Sequence, residues 1–146
     1  MITLTGEYAL RAVVCLAAHP GEPMTAEAIS QHTAVSVGYL AKILQGLNRS
    51  GLVASQRGPH GGFTLRHRAE DITVYDVVEA ADQLPRLHEG PDGAVAPSPN
   101  KVLDRLHRLL SHVRGQLEEV YRTTTIAALM VETGSPDQSG PAAVRP

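Results

Sequence analysis

The residues with most to offer chemically form a run of turn formers around a guanidinium and an imidazole, Arg57-Gly58-Pro59-His60-Gly61-Gly62. A cation on a glycine-rich tip suits a narrow, strongly negative groove, because small residues let the tip approach without colliding with the sugar backbone. By itself such a run is more often a plain surface turn, so its weight depends on what precedes it. What precedes it is a helical pattern opened by Ser36, a residue type that caps helices, with apolar Tyr39, Leu40, Ile43, Leu44 and Leu47 on one stripe. If that helix enters a major groove by its amino end, Ser36, Val37, Gly38, Tyr39 and Lys42 face the duplex. Lys42 then suits phosphate or guanine, the Tyr39 hydroxyl suits phosphate, and Val37 or Ala41 suits a thymine methyl. Arg49, at the end of the same helix, adds a further cation.

The charge distribution supports this reading although the average does not. A net charge of −2 and a pI near 6.4 lack the basic signature of many nucleic-acid binders. From Ala28 to Ala69, however, there is no acidic residue, while Lys42, Arg49, Arg57, Arg66 and Arg68 give that stretch +5 and leave the remainder at −7. One basic face is expected.

The elements that must position these groups follow from local pattern. Thr5 to about His19 carries Ala9, Ala12, Val13, Leu16 and Ala17 at helical spacing and stops at His19-Pro20-Gly21. Thr25 caps a short helix ending near His32 or Thr33, and the third helix runs from Val37 to Arg49 before Ser50-Gly51. Leu52-Val53 and Phe63-Thr64-Leu65 then flank the turn run as a hairpin, the wing of a winged helix-turn-helix. Thr73 and Asp76 have capping-box spacing and open a fourth helix through Ala81.

Beyond it, 82–100 holds Pro85, Pro91, Pro97 and Pro99, and reads as an irregular, sensor-type loop. Lys101 to about Arg122 is a long amphipathic helix, and its Val102, Leu106, Leu109, Leu110, Val113 and Leu117 exceed what a small domain covers, so they are expected to pair two copies. The domains expected are a winged helix-turn-helix over 1–81, the loop over 82–100, the dimerisation helix with a short terminal helix over 101–131, and a flexible tail over 132–146. The fold class is mainly α with a small β-wing. With 42% apolar residues, one Phe and no Trp among 146, the core must be aliphatic.

Several chemistries are excluded or disfavoured. One cysteine, Cys15, rules out an intramolecular disulfide and every site that needs several thiolates from one chain; it reads as an inert core residue of a protein in a reducing compartment. His88, Glu89 and Asp92 match no metal motif, and His107 and His112 are five apart rather than three or four. No phosphate loop or nucleophile motif is present, so no enzyme is expected. No signal peptide and no apolar run near about 18 residues is visible, which points to a cytoplasmic protein away from membranes.

Three segments together resemble the Rrf-two family of winged-helix transcription regulators: Glu7-Tyr-Ala-Leu-Arg-Ala12, Val35-Ser-Val-Gly-Tyr-Leu40, and Ser50-Gly-Leu-Val-Ala-Ser-Gln-Arg-Gly-Pro-His-Gly-Gly-Phe63. The resemblance covers about residues 1–131 and implies a homodimer on a partly symmetric double-stranded DNA operator, with helix three in the major groove and the wing in the minor groove. By position it carries Ser36, Gly38 and Tyr39 to the recognition entry and Arg57 to the wing arginine. His60 stands where the family commonly has glycine, and an added phosphate contact is expected there. Cluster-bearing members place three cysteines before the long helix; this sequence has none there, so no iron-sulfur cofactor is expected, and Glu7, at an acidic ligand position of some members, is expected to form an ion pair. The expected function is a homodimeric repressor answering to an unidentified small-molecule or protein effector. The alternative is a protein-interaction module that keeps the scaffold and holds a partner enzyme.

Overall fold

The structure, a computed structural model, describes residues 3–82 and 100–132. Most of the expected loop, with His88, Glu89 and Asp92, and nearly all of the tail lie outside the described residues.

Helix starts follow from hydroxyl caps. The Thr3 side chain accepts from the Gly6 amide at 3.0 Å and opens α1 (Leu4–Ala17), and Thr25 accepts from the Ala28 amide at 3.2 Å and opens α2 (Ala26–Thr33). α1 ends two residues before His19, because the last turn gives way to the His19-Pro20-Gly21 bend. α2 ends on Ala34 in the left-handed conformation at φ 58°, and the Ser30 hydroxyl donates to the Val35 carbonyl at 2.6 Å, fixing the turn into α3 (Val37–Arg49). Ser36 stands at the cap position of α3, but its side chain makes no capping hydrogen bond.

The wing is an antiparallel pair, β1 (Val53–Gln56) and β2 (Gly62–Leu65), with Val53 opposite Leu65 and Gln56 opposite Gly62. A single 3-10 turn at Ala69–Asp71 leads to α4 (Val74–Asp82). The start of α4 is a reciprocal box: the Asp76 carboxylate accepts from the Thr73 amide at 2.9 Å and the Thr73 hydroxyl from the Asp76 amide at 3.1 Å. α5 (Lys101–Thr123) is capped by Asn100 and runs 23 residues, and α6 (Ile126–Glu132) closes the described chain.

α1 is the central helix, packed against α2, α3, α4, α6 and β2. Its buried Ala9 and Ala12 let neighbouring helices approach closely, while Leu16, Leu40, Leu44 and Leu47 supply the bulk of an aliphatic core. Two isolated bridges close this core. Met24 and Phe63 exchange backbone hydrogen bonds of 3.0 and 2.8 Å, tying the α1–α2 linker to the wing. Thr73 pairs with Thr125, and the Ile126 amide donates to the Ile72 carbonyl at 2.8 Å. Ile72 and Ile126 are both fully buried, so α6 belongs to the core of the winged body, although sequence grouped it with the long helix. Leu44, fully buried where α3 meets the core, sets a stability prediction: Leu44→Ala is expected to cost about 2–5 kcal/mol, read as a lower urea midpoint at unchanged slope.

Candidate nucleic-acid interface

α3 is two-faced because its apolar residues recur at three and four. Leu40, Ile43, Leu44 and Leu47 are buried, which turns Ser36, Val37, Gly38, Tyr39, Lys42 and Arg49 outward. Lys42 and Arg49 have no ion-pair or hydrogen-bond partner among the described residues, so their charge is uncompensated locally. Since Ser36 does not cap, the first amides of α3 lack that internal acceptor and can face an anion.

Tyr39 is more committed than its position suggests. Its ring stands edge-on to Tyr8 at 5.4 Å, and its hydroxyl lies 3.1 Å from the Thr5 hydroxyl. The contact anchors the amino end of α3 to α1, and with Thr5 as donor the phenol keeps its own proton for an outside acceptor.

At the wing, five residues from Arg57 to Gly61 join the strands, and Arg57, Gly58, Pro59 and His60 are exposed. Gly58 adopts φ 114°, a conformation that favours glycine. Gly61 is small for an internal reason: an added Cβ would lie 2.3 Å from the Gln56 carbonyl oxygen and 2.9 Å from that of Gly58. The requirement comes from the folded tip itself, not only from an approaching duplex.

The five cations of the acid-free stretch divide unequally. Arg57 joins Lys42 and Arg49 in having no described partner. Arg66 instead braces the hairpin base, its Nε donating to the Val53 carbonyl at 3.3 Å, and Arg68 pairs with Glu70 at 3.4 Å, just past the end of that stretch. Three of the five are therefore without a partner among the described residues.

Along α5 the apolar residues are largely uncovered. Val102, Leu106, Leu109, Leu110 and Val113 are 43% to 72% exposed, whereas Leu117 is half-buried. Leu103 and Val120, also exposed, complete an alternation of three and four through Leu106, Leu110, Val113 and Leu117, the spacing that coiled-coil seams use. Neither is among the six residues that the sequence reading assigns to the pairing surface; the unbroken alternation was the available signal. Within the chain α5 is held near its carboxyl end, where the Arg122 guanidinium lies 3.6 Å from the Tyr75 ring centroid and 2.7 Å from Glu118. That pairing with Glu118 raises the Arg122 pKa.

The sequence model of the Rrf2 family, described as an iron-dependent transcriptional regulator, matches residues 2–132. The chain belongs to the Rrf2 family. It is 38% identical over 84 residues to protein rrf2 of Nitratidesulfovibrio vulgaris, covering 57% of this chain and 56% of that one. It is 39% identical over 83 residues to the regulator IscR of Pectobacterium atrosepticum, covering 56% and 51%. The match thus spans about half the length of these curated relatives. Over the whole fold it resembles CymR, the global cysteine regulator of B. subtilis, at 27% identity and a TM-score of 0.70 over 90% of this chain and 97% of that one. It also resembles IscR of T. potens, at 26% identity and a TM-score of 0.72 over 96% and 92%. Rrf2 is a family of transcriptional regulators, not of enzymes, and no described helix here is long and apolar enough to cross a membrane.

This Rrf2 chain offers a single thiol, whereas iron-sulfur clusters are held by several thiolates. Its one thiol, Cys15, is buried in α1 with its sulfur 3.9 Å from that of Met24, and burial raises its pKa, which keeps it protonated. Glu7 is paired with Arg11 at 2.7 Å, one turn along the same helix. His19 and His32 meet ring to ring at 5.4 Å, but among the described residues no three His, Cys, Asp or Glu side chains converge as a metal set.

Proposed function

We propose that this Rrf2 protein is a cytoplasmic, homodimeric, DNA-binding repressor that works without an iron-sulfur cluster. The observation that carries the reading is the trio Lys42, Arg49 and Arg57, all exposed and without described partners, on the recognition helix and the wing. In this reading α3 enters a major groove, where Val37 and Lys42 read base edges and phosphate, while Ser36, Gly38 and Tyr39 set the entry. Arg57, with His60 beside it, reaches the neighbouring minor groove, and Gly58 and Gly61 keep the tip narrow. Pairing along α5 through Val102, Leu106, Leu109, Leu110, Val113 and Leu117 sets two such surfaces about one DNA turn, roughly 34 Å, apart. The lone buried thiol supports the cluster-free part of the reading.

The test begins with selection of bound sequences from random duplexes, followed by titration of the selected site at several salt concentrations. Affinity is expected to fall by about 0.9 log unit per log unit of salt for each phosphate contacted. Arg57→Ala is expected to weaken binding about tenfold and to flatten the salt slope by about one unit. Unchanged affinity removes the wing from the mechanism; absence of any selected site removes the mechanism. Protein purified without air is expected to show no visible charge-transfer band, and such a band would overturn the cluster-free assignment.

A further inference from the structure

A second concavity lies away from the recognition helix. It measures about 650 Å³ and is walled by the end of β2, the 3-10 turn, the end of α1 and α6. Its lining is apolar at Leu16, Leu65, Ala127, Met130 and the exposed Val131, and charged or polar at Arg66, His67 and Arg68, with one acid, Glu70. Core packing accounts for Leu16, which is almost fully buried, but not for Val131, which is 80% exposed.

We propose that this cavity binds a small monocarboxylate with an apolar body. The volume falls in the range of small-molecule sites, and an apolar lining with a few polar groups is the usual make-up of such sites. The Nε of Arg66 is committed to Val53, but its terminal Nη groups have no hydrogen-bond or ion-pair partner among the described residues and match a carboxylate's two oxygens. The Arg68–Glu70 pair is open to water, with side chains 77% and 59% exposed, so an incoming carboxylate competes with it at small cost. The apolar part of the lining disfavours a heavily hydrated polyanion and rewards a hydrocarbon body. Because β2 is one wall and α6 another, the ligand would tie the wing's base to the carboxyl-terminal helix. A regulatory consequence rests on the DNA-binding reading; the binding itself does not.

Isothermal titration of the intact chain without DNA, using straight-chain carboxylates of increasing length and their neutral amides, tests the proposal. Saturable binding is expected, tightening roughly threefold to fourfold per added methylene until the cavity fills. The amides are expected to bind at least about tenfold more weakly, as charge-assisted contacts are lost. Arg66→Gln should weaken binding about as much, and since it also loosens the hairpin base, Ala127→Leu, which fills the cavity from α6, serves as the second variant. No saturable heat, equal binding of acid and amide, or unchanged binding by Ala127→Leu overturns the proposal. Failure here leaves salt-sensitive DNA binding untouched, and failure of DNA binding leaves this titration standing.

Discussion

Replacing Leu106 and Leu110 together by glutamate is expected to leave a folded monomer whose affinity for a two-fold operator falls roughly a hundredfold or more. The fold should survive because both side chains are about half exposed on α5, at 47% and 53%, and no residue of that helix is fully buried. Pairing should not survive. Each leucine contributes about 1.5–3 kcal/mol when fully covered, and in a two-fold seam each substitution occurs twice and buries carboxylates against one another. Two linked recognition surfaces hold DNA with an effective concentration that a lone surface lacks, which is why the loss in affinity exceeds any single contact. Sedimentation measures the mass, circular dichroism the fold, and anisotropy with a labelled operator the affinity. A double variant that still sediments as a dimer would move the interface off α5.

The second large effect is expected at Gly62→Ala. Gly62 sits at φ 149°, and an added Cβ would lie 2.6 Å from the Met24 carbonyl oxygen and 2.9 Å from its nitrogen. Both contacts are with backbone, so no rotamer relieves them; the hairpin must leave the α1–α2 linker or the strand must distort. A cost of about 2–3 kcal/mol is expected, with loss of the Met24–Phe63 hydrogen bonds visible as faster amide exchange at both residues. Gly46→Ala provides the contrast. It lies inside α3 with nothing near its added Cβ, so it should stabilise by about 0.5–1 kcal/mol. If Gly62→Ala unfolds at the wild-type urea concentration, the close approach of wing and linker is wrong.

The helices of the winged body were legible because their signals are local. Thr25 with Ala28, and Thr73 with Asp76, are three residues apart, and the stripe from Leu40 to Leu47 repeats within single turns. The 3-10 turn at Ala69–Asp71 had no comparable signal, since three residues carry no periodicity. Ser36 shows where a local rule stops short: residue type placed the helix start correctly, yet the hydroxyl makes no capping bond.

What sequence alone determined is the order of the elements, the kinship carried by the Val35–Leu40 and Ser50–Phe63 segments, and the lack of the several thiolates a cluster needs. Tertiary structure decided which charges remain unengaged, since Arg66 reaches Val53 and Arg68 meets Glu70 while Lys42, Arg49 and Arg57 meet no described partner. It also decided that α6 joins the core through Ile126, that Tyr39 leans on Tyr8, and that Gly62 is held against Met24. The reason is one of range. Caps and periodicity act within about one helical turn, whereas these contacts join residues brought together only when burial of the aliphatic core closes the chain.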